Sequence, residues 1–165
     1  MRSRRKAREA ALQALYQCDT LDAWTEESLD LYFRVFQPEA LASGDAAVME
    51  NLAFSRALAS GVVKFLTFID AQISKASTRW SLSRMSRVDR NILRLAAFEL
   101  AFLKDIPVNV SINEAIEIAK RYGTDESHTF INGVLDNVAG VLHADPHLAE
   151  AAQAANAAAK KTAAG

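Results

Sequence analysis

The stretch from Ser86 to Pro107 limits the fold more than any other part of the chain. Val88, Ile92, Leu93, Leu95, Ala96, Leu100 and Leu103 leave no broad polar face, so the pattern predicts a helix that is apolar nearly all round. Ser86 with Asp89 resembles a capping box at its start, and Asp105, Ile106 and Pro107 end it. A helix without a solvent face has to be surrounded. This one is expected at the centre, with amphipathic helices packed about it.

The flanking sequence supplies them. A first helix is predicted from about Arg4 to Asp19. A second follows Thr25, with Leu29, Tyr32, Phe33 and Phe36 on its apolar side, and Gln37 and Pro38 end it. Pro38 to Gly44 reads as a loop. Asp45 opens a third helix, and Gly61 is a candidate break before Phe65, Leu66, Ile69 and Ile73, which leaves one bent helix or two over residues 45–75. Thr78 to Arg84 reads as a connection. Ser111 with Glu114 offers a capping signal, Gly123 stands where a left-handed residue closes a helix, and Thr124 can cap a last helix containing Phe130, Ile131, Val134, Leu135 and Val138. No segment alternates at period two for long, so the fold class is all-α. Residues 1–140 form the expected domain. Residues 141–165 form an Ala-rich tail with little to bury, expected to be disordered.

The first helix begins in an unusual way. Arg2, Arg4, Arg5, Lys6 and Arg8 put five cations among eight residues, where the macrodipole favours acids and each exposed cation costs a few tenths of a kcal/mol, roughly. At about 100° per residue, Arg4, Arg5 and Arg8 share a side with Leu12 and Leu15, whereas Lys6 and Gln13 point away. The helix therefore reads as starting beyond the core edge and presenting its first turns to something anionic. The net charge of −1 conceals this, because charge is segregated along the chain: +5 over residues 1–8, −8 over 9–50, +6 over 51–104 and −4 over 105–165. Phosphate binding depends on such local patches rather than on the total.

Other function classes lack their signatures. The glycines are too scattered for a phosphate-cradling loop, and no Ser or Cys stands in a nucleophile motif, so the chain is read as non-enzymatic and without a cofactor. Cys18 is alone, and Pro146 between His143 and His147 spoils their spacing, so no metal site is expected. No apolar run has the length of a membrane span. The expected location is the cytoplasm.

A second basic stripe, Arg87, Arg90 and Arg94, follows Arg84 at helical spacing, with Arg94 read as buried against an acid such as Glu99. Tyr16, Tyr122 and Phe130 are candidate stacking surfaces if the ligand is single-stranded RNA, whose unpaired bases stack on aromatic rings while Arg and Lys hold phosphates.

Three blocks, RRKAREAALQALYQ at 4–17, RVDRNILRLAAFEL at 87–100 and DIPVNVSINEAIEIAKRYGTDESHTFINGVLDNVA at 105–139, resemble the NusB family of bacterial transcription antitermination factors. The resemblance implies about seven helices in two small bundles forming one compact domain. It implies binding to the boxA element of ribosomal RNA leader transcripts together with NusE, a small-subunit ribosomal protein, within an RNA polymerase antitermination complex. Carried over by position, Arg2, Arg4, Arg5, Lys6, Arg8, Gln13 and Tyr16 would face RNA, and Phe130 would border that surface. Arg87, Asp89 and Arg90 would help form the protein partner's surface. Asn113 and Glu114 would serve helix entry, and Gly133 close helix packing. Oligomeric state varies in the family, and a homodimer hiding the arm is compatible with the resemblance.

Two other readings compete. A detached NusB-like domain of an RNA cytosine methyltransferase would need a further domain of a few hundred residues with a methyl-donor loop and a catalytic cysteine. A helical interaction scaffold with a merely solubilising arm would show only weak, salt-sensitive attraction to RNA.

Overall fold

The computed structural model describes residues 2–165, with side chains from Arg4 onward. Nine α-helices and one 3-10 turn make up the described residues: α1 (Arg2–Leu21), α2 (Glu26–Phe36), α3 (Pro38–Leu41), α4 (Ala46–Lys64), α5 (Leu66–Ala76), the turn Leu82–Arg84, α6 (Arg87–Phe102), α7 (Val108–Tyr122), α8 (Ser127–Ala144) and α9 (Leu148–Ala164). The class is all-α, with two more helices than expected, α3 and α9.

The apolar segment is the hub. The Ser86 hydroxyl accepts from the Asp89 amide at 3.1 Å and starts α6, whose residues 91–99 are all buried. α6 packs against α1, α4, α5, α7 and α8 and is shared by two small bundles. On one side lie α1, α2 and α4; on the other, α5, α7 and α8. No single described helix is long and apolar enough to cross a membrane.

Residues 45–76 are two helices, bent by 79°, and the break falls at Phe65 rather than Gly61. Phe65 leaves helical geometry and its ring stacks on Phe102 at 4.3 Å, while Phe68 and Phe98 also pack on Phe102. The aromatic cluster fills the elbow. Gly61 stays inside α4, where its missing side chain makes room for the Phe98 ring.

Several cap signals resolve differently from their sequence pattern. Pro107 takes the N-cap position of α7, so Ser111 lies inside the helix and donates to Glu99 at 3.1 Å, while Asn113 is an exposed interior residue. Gly123 is extended (φ −91°), not left-handed; a Cβ would sit 2.8 Å from the Ala119 carbonyl, so close approach is what favours glycine. Ser127, not Thr124, supplies the side-chain oxygen at the α7–α8 junction, accepting from the Thr124 amide at 2.9 Å. Nothing lies within 4 Å of a Cβ at Gly133, so close packing does not account for it. The tail forms α9 instead of fraying: Ala149 is buried, and the Asn156 amide donates to the Lys64 carbonyl at the end of α4.

Candidate nucleic-acid interface

α1 buries Ala11, Leu12, Ala14, Leu15 and Cys18 in the core, and its cations are arranged around that same side. Arg8 is 4% exposed: its Nε and Nη2 donate to the two oxygens of Glu99 at 2.9 and 2.7 Å, Glu99 is 2% exposed, and Ser111 donates to Glu99 as well. Arg5 makes the same kind of forked pair with Glu114 at 2.8 and 3.1 Å. The Arg5 hydrogen bonds hold the Glu114 carboxyl below its ordinary value, against the opposing cost of burial. Arg4 meets Glu50 at 3.0 Å and lies over the Phe54 ring, 4.2 Å from its centre. Three of the five arm cations thus have carboxylates of α6, α7 and α4 against them. These pairs offset the cost of placing cations at the positive end of the helix dipole. The Arg2 side chain lies outside the described residues.

Arg8 is therefore a core residue and not a surface cation as its place in the arm suggested. Projection onto the Leu12–Leu15 side already contained that signal. Sequence reasoning missed its partner: Glu99 pairs with Arg8, not Arg94. Arg94 and Glu99 are five residues apart and point about 140° away from each other, whereas residues three or four apart share a helix face. Arg94 instead donates to Asp70 at 2.8 and 3.1 Å and to Asp19 at 3.3 Å, with its guanidinium 4.8 Å from the centre of the Trp24 ring.

What α1 leaves to solvent is a narrower strip. Lys6 is exposed and makes no ion pair among the described residues; Gln13 and Tyr16, the latter 42% exposed, follow within about 80° of it around the helix. Tyr32 donates to Gln13 Oε1 at 2.8 Å, which fixes that exposed side chain. Glu9 alongside is bonded to Arg121 at 2.9 and 3.1 Å, which ties the end of α7, with Tyr122, to this side of α1.

The strip runs toward the start of α6. There Asp19 accepts from Arg90 at 2.6 and 2.7 Å and from Asn91 at 2.9 Å. Burial alone would push the Asp19 carboxyl up, but these hydrogen bonds and the charges of Arg90 and Arg94 bring it below its ordinary value. Arg90 is committed to that pair. Arg87 is exposed, with no ion pair among the described residues. Asp89 lines a cleft of about 220 Å³ with Trp80, Arg84, Glu126 and Phe130, and its Oδ1 is buried without a hydrogen-bond partner. Phe130 is half-buried there, and the adjoining groove continues past Gly133. Nothing in the sequence pairs Trp80 with Phe130, which lie fifty residues apart and meet only through the fold.

The family model for the NusB family matches residues 5–140. The transcription antitermination protein NusB of Geotalea uraniireducens (strain Rf4) is 48% identical over 146 residues, covering 86% of this chain and 97% of the relative. Among solved structures, NusB of T. maritima matches with a TM-score of 0.68 at 42% identity, covering 83% of this chain and 90% of that one. A structure of antitermination factors NusB and NusE in complex with dsRNA matches with a TM-score of 0.70 at 28% identity, covering 86% of this chain and 98% of that one. The match takes in the cationic helix, the central helix and the junction bearing Phe130, and the chain belongs to the NusB family.

Proposed function

We propose that this chain is a transcription antitermination factor that binds boxA-type single-stranded RNA along α1, together with NusE, within an RNA polymerase antitermination complex. The observation that carries the reading is the exposed strip Lys6–Gln13–Tyr16 on a helix whose Arg4, Arg5 and Arg8 are paired with the protein's own acids. A ligand meets there one unpaired ammonium, one fixed amide and one open aromatic face. Lys6 suits a phosphate, Gln13 a base edge and Tyr16 an unstacked base. The outer edge of Arg5 extends the cationic part about 100° around α1 from Lys6, Arg4 lies about 160° from Lys6 and meets a strand that turns around the first turn of the helix, and Phe130 borders the strip beyond the start of α6. Arg8 supports α1 from beneath and makes no contact with the strand.

For NusE, the supporting feature is the cleft at the α6 start. Asp89 lines that cleft as a carboxylate with no ion-pair partner among the described residues, and Arg87 stands exposed close to it in the chain. Arg90 keeps that end of α6 fixed to α1 through Asp19.

The test is fluorescence anisotropy with a boxA-like RNA and a scrambled control across a salt series, with and without NusE. Preference for the boxA-like strand, strengthened by NusE and weakened by Tyr16→Leu, is the expected result. Equal and steeply salt-dependent binding to both strands under all conditions would leave only a charged surface on a helical scaffold.

A further inference from the structure

The arm cations are not equivalent, and the acids facing them set the difference. Glu99 is buried against Arg8. Glu114, with its side chain 8% exposed, is forked to Arg5. Neither carboxylate can swing away without stranding a charge in the interior. Glu50 is different: its side chain is 71% exposed, and it reaches Arg4 through one bond of 3.0 Å. Arg4 has a second support in the Phe54 ring, which holds the guanidinium whether or not Glu50 is on it.

We propose that Glu50 is an affinity-setting residue of the RNA site, whose carboxylate occupies the Arg4 guanidinium until an RNA phosphate replaces it. The inference rests on the RNA-binding reading above and deepens it. The exchange substitutes one anionic oxygen acceptor for another on the same N–H, and Glu50 has only to rotate into water. After exchange the freed carboxylate still lies within a Debye length of the phosphate, about 8–10 Å, and opposes it. Lys6 binds a phosphate without such competition. Arg5 and Arg8 remain on their acids.

The experiment compares the full chain with Glu50→Gln, Arg4→Ala and the double variant, by anisotropy on the boxA-like RNA across a salt series. Glu27→Gln, an exposed acid of α2, controls for net charge, and thermal melts check the fold. Glu50→Gln is expected to tighten binding about two- to fivefold, the span of an exposed ion pair, and to steepen its salt dependence. Glu27→Gln gives a smaller gain, and in the Arg4→Ala background the gain from Glu50→Gln falls to that of this control. The inference is overturned if Glu50→Gln matches the parent, if its gain is undiminished without Arg4, or if Glu27→Gln does as much. Any of these, with binding still weakened by Lys6→Ala, leaves the RNA reading intact. Failure of the parent to bind RNA, or indifference to Lys6→Ala, removes that reading and this inference with it.

Discussion

Replacing Glu99 by Gln removes the carboxylate charge forked to the buried Arg8 guanidinium. Glu99 accepts two bonds from Arg8 and one from Ser111, and water reaches neither partner to an extent that could substitute. Breaking a buried pair from one side costs about 3–5 kcal/mol. A domain of this kind has about 5–15 kcal/mol in all, so the single variant should lose a large part of its stability. The paired change Arg8→Met with Glu99→Leu behaves differently. Exchanging a buried ion pair for apolar groups of similar size is neutral or stabilising by about 1–4 kcal/mol. Against that stands the Ser111 hydroxyl, which loses its acceptor at a cost of about 1–3 kcal/mol. The double variant should therefore lie within about 3 kcal/mol of the parent. Urea denaturation followed by far-ultraviolet circular dichroism measures both. A double variant as unstable as Glu99→Gln would refute the account of a dry, self-contained pair. The same proteins test Arg8 as a support: a double variant that folds but no longer binds RNA would mean that Arg8 reaches the strand after all.

Gly61→Ala places a methyl group into the Phe98 ring and should cost about 1–3 kcal/mol, seen as a lowered melting temperature that Phe98→Leu partly restores. An unchanged melting temperature would show that the elbow yields easily. Acid stability follows from Asp19 and Glu114, both held below their ordinary values of 3.8 and 4.5. A carboxyl with a depressed folded pKa contributes stability above its unfolded pKa and loses it as pH falls through the folded one. The urea midpoint should hold from neutral pH down to about 5 and fall below about 4.5, with Glu114→Gln lower at neutral pH and flatter in acid. A parent midpoint constant from pH 6 to 3 would contradict the pairing.

The central helix was legible because one rule governs it: a segment with no polar face has no stable place at a surface, whatever surrounds it. The α1 core face was legible for the same reason, since Leu12 and Leu15 fix the direction in which Arg4, Arg5 and Arg8 point. Local caps were less so. Ser86 and Asp45 act as their sequence suggests, accepting from the first amides of α6 and α4. Ser111 has the same pattern with Glu114 and does not, because Glu99 and Arg5 from other helices claim both side chains. The break at Phe65 was hidden because it depends on stacking with Phe102, far along the chain, whereas Gly61 looked like a break only from its own flexibility.

Charge patterning shows the same limit on a larger scale. A cluster of cations followed by a long acidic stretch looks, along the sequence, like an arm awaiting a polyanion. In three dimensions much of the segregated charge meets its opposite. Arg4 is on Glu50, Arg5 on Glu114 and Arg8 on Glu99. Arg56 is on Glu26 and Asp30, and Arg90 and Arg94 are on Asp19, from different segments again. Segment charge alone does not say which helices pair, because Arg8 and Glu99 join two net-positive stretches and Arg121 and Glu9 two net-negative ones; individual acids and cations set the partners. On the proposed reading, the groups left to RNA among the described residues are Lys6, Arg4 if Glu50 yields it, Gln13 and Tyr16. A cation count on the arm overstates the binding surface, since the fold itself occupies Arg8 entirely and most of Arg5. The salt dependence of binding should accordingly follow the few cations that remain available, not the five present in the first eight residues.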